Sequence, residues 1–253
     1  MTRVEAVNAK VERADKHITD LSVAIARFLA TNPYKVGSKN HPVLEDATAF
    51  FVENAKPTPP DISVIAGDVI HNLRSALDHL AWHLVEASGK TPGNWTGFPI
   101  FDPDSFKTKK DKTGFFERKV QGMNSKVVDA IKVVKPYKGG NNVLWTIHNL
   151  NIVDKHHLLL AVGFTSPHFT VRRQFDIPLA GWYPIKEGDN IVTITHKVQP
   201  EEQLEFAFDI VLGENGIFQG TPLLVSLSTM RDAVKNLLFD FSHSCSESGF
   251  KAA

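Results

Sequence analysis

Near the N-terminus, Val4, Val7, Val11, Ala14, Ile18, Leu21, Ile25 and Phe28 recur at three- and four-residue steps. One apolar stripe at that period predicts an amphipathic helix over 3–31. Asn32-Pro33 ends it, because proline disfavours helical backbone in the residue before it. Turn formers and then Phe50, Phe51 and Val52 predict two short strands, a hairpin, within 34–56. Lys56-Pro57-Thr58-Pro59-Pro60 is a stiff extended connector. A second helix is predicted over 62–88, with Asp61 and Ser63 as N-cap candidates and Gly89 as its stop.

Residues 89–123 read mostly as loop, with a short helix near 115–121. The Lys107, Lys109, Lys110 and Lys112 run reads as a solvated surface. Ser125 is a cap candidate for a short helix ending before Pro136, and Gly139-Gly140-Asn141-Asn142 reads as a turn. A further helix is predicted over 143–160. Beyond Gly163 the period changes. Residues 169–175, 190–196 and 203–211 alternate and are rich in β-branched and aromatic residues, as strands are. Turns fall at 187–190 and 213–216. Thr221 then caps a last helix over 222–243, with Leu224, Leu227, Met230, Val234, Leu237, Leu238 and Phe241 on one face. The expected class is α+β: a helical core with an N-terminal β-hairpin and a small antiparallel sheet before the last helix. The expected organisation is a single domain over 1–243 and a flexible tail over 244–253.

Composition narrows the function. With 42% hydrophobic residues among 253, the chain has enough apolar material for a sizeable core. Lys+Arg and Asp+Glu are both 28, so the basic excess of a duplex-DNA binder is missing and no duplex DNA is expected. Cys245 is the single cysteine, which excludes an intrachain disulfide and a cysteine-based zinc cluster. No apolar run of about 18 residues occurs and no secretory signal is legible, so a cytoplasmic protein without a membrane span is expected. Glycine loops for nucleotide phosphates and the Gly-x-Ser-x-Gly elbow are absent, and no cofactor is expected.

The candidate chemistry sits on two of the predicted helices. Over 67–84, Val69, Ile70, Leu73, Ala76, Leu77, Leu80 and Leu84 make one face. Asp68, His71, Asn72, Arg74, Ser75, Asp78, His79 and Trp82 make the other. Those polar residues are short, directional and titratable, unlike the Glu, Lys and Gln of an ordinary solvated helix. The second segment, 144–160, offers Trp145, His148, Asn149, Lys155 and His156. Six of the 11 histidines fall within 71–83 and 148–157, which predicts that the two helices face each other around one polar pocket.

Arg74-Ser-Ala-Leu-Asp-His79 has Arg-x4-His spacing, and here the chain resembles the HEPN group of helical ribonucleases. The resemblance covers about 60–90 and a generally helical core. It implies a metal-independent endoribonuclease acting on single-stranded RNA, commonly across a homodimer interface. Arg74 would stabilise phosphate charge and His79 would be acid or base, with Asp78 beside them. Ser75 stands where that group commonly has Asn, Asp or His, and the C-terminal strands are foreign to a plain HEPN domain. Over most of its length the chain resembles a group of uncharacterised bacterial proteins. It shares with them His71–His79, Phe98-Pro-Ile-Phe101, Leu144-Trp-x-x-His148 and Asp154-Lys-His156. That resemblance implies a shared fold and supplies no activity.

Three other uses of the same residues stand beside the nuclease. The pocket is a non-catalytic ligand- or partner-binding site, with His71, Asn72, Ser75, His148, Asn149, Lys155 and His156 as polar contacts and Trp82 and Trp145 as walls. Alternatively, Asp68, His71, Asp78, His79, His148 and His156 are ligand types for a metal-dependent hydrolase, although no familiar metal motif is present. Finally, Arg74 and Asp78, four apart, form a simple ion pair, and the histidines and asparagines tie helices together.

Overall fold

The stripe read over 3–31 is helix α1 (Arg3–Ala30) in the computed structural model. The structure describes residues 3–157, 159, 161–171, 175–178, 183–194, 202–213 and 218–247. The chain folds as α+β. On α1, Val7, Val11, Ala14, Leu21, Ile25 and Phe28 are buried as the period requires, while Val4 is exposed. His17 is buried among them, a position that the apolar stripe did not include.

Helix α2 (Pro60–Ala87) begins at the last proline of the connector, earlier than 62. Proline suits the first helical position because the N–H it lacks would have no intrahelical partner there. The helix gives way at Gly89, whose φ of +70° is left-handed backbone that favours glycine. Burial on α2 departs from the two-faced expectation. Asn72 and Arg74 were expected on the polar face, and both are buried alongside Val69, Ile70, Leu73 and Leu77. Only a narrow edge formed by Pro60, Asp61, Val64, Asp68, His71 and Glu86 is exposed. A helix covered nearly all round must pair every polar group on its covered sides.

A 3-10 turn (Pro103–Ser105) precedes α3 (Lys109–Lys119), which starts well before the expected 115. Thr108 sets that start: its Oγ1 accepts from Asp111 N at 3.1 Å and donates to Asp111 Oδ2 at 2.8 Å. Asn124, not Ser125, caps α4 (Ser125–Val134), accepting from Val127 N at 3.0 Å. Asn141 does the same for α5 (Asn142–His156) through Leu144 N at 3.1 Å. Helix α5 stops at His156 rather than 160, because His157 is extended (φ −145°, ψ 141°) and the chain passes into strand at Ala161. The last helix, α6, spans Leu223–Glu247. Leu227, Met230, Val234, Leu237 and Phe241 are buried on it as expected. From 248 onward the expected tail lies outside the described residues.

The strands pair antiparallel. The hairpin is β1 (Tyr34–Asn40) with β2 (Thr48–Ala55), in register from Tyr34 opposite Ala55 to Asn40 opposite Thr48, with an irregularity after Lys35. The strands after α5 are β3 (Ala161–Val171), β4 (Phe175–Pro178), β5 (Tyr183–Pro184), β6 (Asn190–Ile194) and β7 (Glu202–Leu212). They divide between two sheets. Strand β6 extends the hairpin through β2, while β3 carries β4, β5 and β7. The turn before β6 closes on β2, with Gly188 N donating to Val52 O at 2.8 Å and Val52 N to Asp189 O at 2.9 Å. The expected turn at 213–216 falls largely outside the described residues.

The chain forms two compact units: Met1–Asp20, Val64–Leu159 and Leu227–Ala253 in one, Leu21–Ser63 and Leu160–Ser226 in the other. The first is helical. Its core gathers Leu73 and Leu77 of α2, Leu144 and Ile147 of α5, and Met230 and Val234 of α6, all fully buried. On its surface Asp15 of α1 accepts from Arg231 Nη1 (2.6 Å) and Lys235 Nζ (2.7 Å) of α6. The second unit holds both sheets. There Tyr34 packs against Phe28 at 5.9 Å and Phe208 at 5.4 Å between ring centroids. Among the described residues, no helix is long and apolar enough to cross a membrane.

In the second unit the phenol of Tyr34 lies directly over Gly163 of β3, where a Cβ would collide with the ring. Gly163→Ala is therefore expected to destabilise the fold by about 1–3 kcal/mol through overpacking, read as a fall of the thermal midpoint. An unchanged midpoint would show that the ring moves aside freely.

Candidate functional site

The Arg-x4-His segment lies in the helical unit, where Arg74 and Asp78 stand one turn apart on α2. Arg74 Nη1 is 2.9 Å from Asp78 Oδ1. Each partner also grips the same residue of the following loop. Arg74 Nη2 donates to Phe98 O at 3.1 Å, and Phe98 N donates to Asp78 Oδ1 at 3.0 Å. The pair thus brackets one residue from both sides, satisfying a buried N–H and a buried C=O together. Phe98 is fully buried and its ring meets Phe241 of α6 edge-on at 6.5 Å. Gly97 makes the approach possible: a Cβ there would sit 3.0 Å from Asp78 Oδ1 and 3.4 Å from Lys119 Nζ.

Around this clasp the balance of charge is positive. The Arg74 side chain is 10% exposed and Asp78 43% exposed, so the cation is the more deeply held of the two. Burial lowers the Arg74 pKa and the neighbouring carboxylate of Asp78 opposes that shift. Burial likewise lowers Lys119, again opposed by Asp78, with Arg74 adding to the fall. One carboxylate therefore serves two cations.

His148 of α5 joins the same cluster. Its pKa is depressed to about 4, first by burial and then by the charges of Arg74, Lys119 and Lys155. At neutral pH the imidazole is uncharged. Its ring lies 5.8 Å from that of Trp145 between centroids. One buried polar atom here, His148 Nδ1, has no hydrogen-bond partner, whereas Arg74 Nη1 is held in the ion pair with Asp78. An orphaned group of this kind costs about 1–3 kcal/mol, which makes it informative.

The structure thus groups Arg74, Asp78, Trp145, His148 and Lys155 of the sequence-derived residues and leaves others elsewhere. Asn72 turns back on its own helix, Nδ2 donating to Asp68 O at 2.8 Å. His71 is exposed, with Nε2 3.5 Å from Ser75 Oγ. His156 is exposed at the end of α5, and His79, Trp82 and Asn149 are half-buried. Near the N-terminal part of α2, Asp154 of α5 lies directly against Gly67, a contact that brings the two helices together. Burial raises the Asp154 pKa, and Asp68 raises it further. Among the described residues, no three or more His, Cys, Asp and Glu side chains are gathered as a metal site would need.

Sequence reasoning missed Lys119 and the peptide of Phe98. Lys119 sits at the end of a lysine-rich stretch that reads as solvated surface. Phe98-Pro99 reads as a loop motif, and nothing in its residue types shows that its backbone would be held by charged side chains.

The depressed pKa of His148 has a pH consequence. In the unfolded chain its imidazole takes a proton near 6.5, and in the fold it resists protonation down to about 4. The stabilisation is complete above 6.5 and is lost as pH falls through that window. His148→Gln, which cannot titrate, is expected to melt with a shallower dependence on pH between 6.5 and 4 than the parent chain. Parallel profiles for the two proteins would mean that His148 titrates as an ordinary histidine. Compared with known proteins, the chain matches no family model, no curated protein and no solved structure.

Proposed function

We propose that the helical unit binds an anionic group, with a phosphate the best chemical fit, at the Arg74–Lys119–His148 cluster. The observation that supports this most directly is the unpartnered buried Nδ1 of His148 in one positive neighbourhood with Arg74 and Lys119. A phosphate oxygen is the natural acceptor for an imidazole Nδ1–H. Lys119 and Lys155 add charge that attracts an anion from a distance. Trp145 gives the ligand an apolar neighbour. A bound dianion would also oppose the cationic part of what holds His148 low, raising its pKa.

The second reading is the HEPN-like metal-independent endoribonuclease. A neutral imidazole beside phosphate-binding cations is what acid–base attack on RNA requires, and His148 supplies one. In this reading Arg74 keeps its bonds to Phe98 and Asp78, and its positive charge stabilises the scissile phosphate.

Inorganic phosphate is the first probe, followed by NMR titration and thermal melting at matched ionic strength with chloride. Phosphate is expected to raise the melting midpoint and to move the His148 ring signals. Losing one charge-assisted hydrogen bond, His148→Gln should weaken binding by about tenfold or more. A protein whose midpoint and His148 signals ignore phosphate has no such site. The nuclease reading predicts cleavage of single-stranded RNA in EDTA, with His79→Ala slower by about 10²-fold or more. RNA left intact under those conditions removes it and leaves the binding reading standing.

A further inference from the structure

No residue of helix α3 is fully buried, and Lys112, Phe115, Phe116 and Lys119 make its half-buried side. Between 107 and 119 the chain carries Lys107, Lys109, Lys110, Lys112, Arg118 and Lys119 against only Asp111 and Glu117. The whole chain has no net charge, so this excess is local. Among the described residues, Lys107, Lys109 and Lys110 are exposed and enter no ion pair. An open groove of about 970 Å³ runs along the helix, lined by Phe106, the cations Lys109, Lys110 and Arg118, and the carboxylates Asp111 and Glu117 among others.

Aromatic rings alternate with these cations. Trp95 is 63% exposed, and the guanidinium of Arg118 lies 5.2 Å from its ring centroid. Phe106 and Phe115 are 5.4 Å apart, and Lys119 Nζ lies 5.8 Å from the Phe115 ring. Lys112 Nζ sits 5.5 Å from Phe101 and 5.4 Å from Tyr137. Exposed tryptophan capped by arginine is a flat, cationic, polarizable platform.

We infer that this face of α3, with Trp95, is a binding track for single-stranded nucleic acid. Phosphates would pair with Lys109, Lys110 and their neighbours, and an unpaired base would stack on Trp95 and Arg118. Each alternative partner leaves part of the surface unused. A duplex hides the base faces that Trp95 would stack on. An acidic peptide uses the lysines and has no planar group for the tryptophan. A membrane surface calls for an apolar stripe along the helix, and the α3 sequence Lys-Lys-Asp-Lys-Thr-Gly-Phe-Phe-Glu-Arg-Lys has none. The track rests on the phosphate-site reading only through Lys119, which belongs to both surfaces and is left unchanged in the test.

The experiment is fluorescence anisotropy of the full chain with a labelled uridine RNA of about 12 nucleotides, a length within the usual range for such tracks. The matching thymidine DNA, a duplex of the same length and polyglutamate serve as competitors, at several salt concentrations. Tight binding of the single strands is expected, falling steeply with salt. Exchanging both Lys109 and Lys110 for Gln should weaken binding and reduce the log–log salt slope by about 1.4, at about 0.7 per phosphate contact on a single strand. Trp95→Ala should weaken binding by about tenfold with little change of slope. All three side chains are exposed, so circular dichroism and melting should match the parent chain. The inference is overturned by absence of binding at low salt, by equal competition from duplex or polyglutamate, or by a Trp95→Ala protein that binds as the parent does. Binding of RNA without response to inorganic phosphate would remove the phosphate-site reading alone. The converse would remove the track alone.

Discussion

The helical unit depends on a buried guanidinium and the two groups that neutralise it. An arginine removed from water is costly, and it is tolerated only where a carboxylate and a carbonyl replace the lost hydration. Asp78 and Phe98 O supply these to Arg74. In return the pair satisfies the backbone of Phe98, whose side chain fills the core against Phe241. The clasp therefore couples the centre of α2 to the loop after it and, through the Phe98 ring, to α6. It also accounts for an α2 that is covered nearly all round while carrying polar residues on its covered sides.

The same clasp generates the candidate site. Asp78 is engaged by Arg74 and by the Phe98 N–H, and it is also the carboxylate nearest in effect to Lys119. One negative charge among these cations leaves His148 in a positive field, uncharged and with Nδ1 unpaired. Nη2, through Phe98 O, and Nη1, through the ion pair with Asp78, both fix the fold. The lysines of α3 continue the positive potential from Lys119 to the exposed Trp95 platform.

Much of this was legible in the sequence, for physical reasons that differ by element. The long helices were, because an apolar stripe at a 3.6-residue period, sustained over several turns as from Val7 to Phe28, suits a helix and defeats a strand. The hairpin and the strand-rich C-terminal stretch were legible from β-branched and aromatic alternation. Caps were less so: Thr108, Asn124 and Asn141 compete with neighbours of equal capping strength, and local geometry chooses among them. Strand partnership was hidden, since nothing in residues 190–194 states that they join the N-terminal hairpin. The clustering of histidines pointed to α2 and α5, and the structure brings Arg74, Asp78 and His148 together. The helical wheel failed for Asn72 and Arg74 because a wheel assumes that polar means solvated. Lys119 and Phe98 N–H were invisible, the first because a lysine in a basic run looks solvated, the second because backbone groups leave no trace in residue type.

The central claim is that Arg74 and Asp78 hold the peptide groups of Phe98, and native-state hydrogen exchange at the Phe98 amide tests it most directly. The account predicts strong protection in the parent chain. In Asp78→Ala, protection at Phe98 should fall by about tenfold or more relative to the core amides of Leu73 and Leu77, since the lost acceptor is worth about 1.5–3 kcal/mol. A Phe98 amide that exchanges as freely as an unfolded one in the parent chain, or that is equally protected with and without Asp78, would contradict the account.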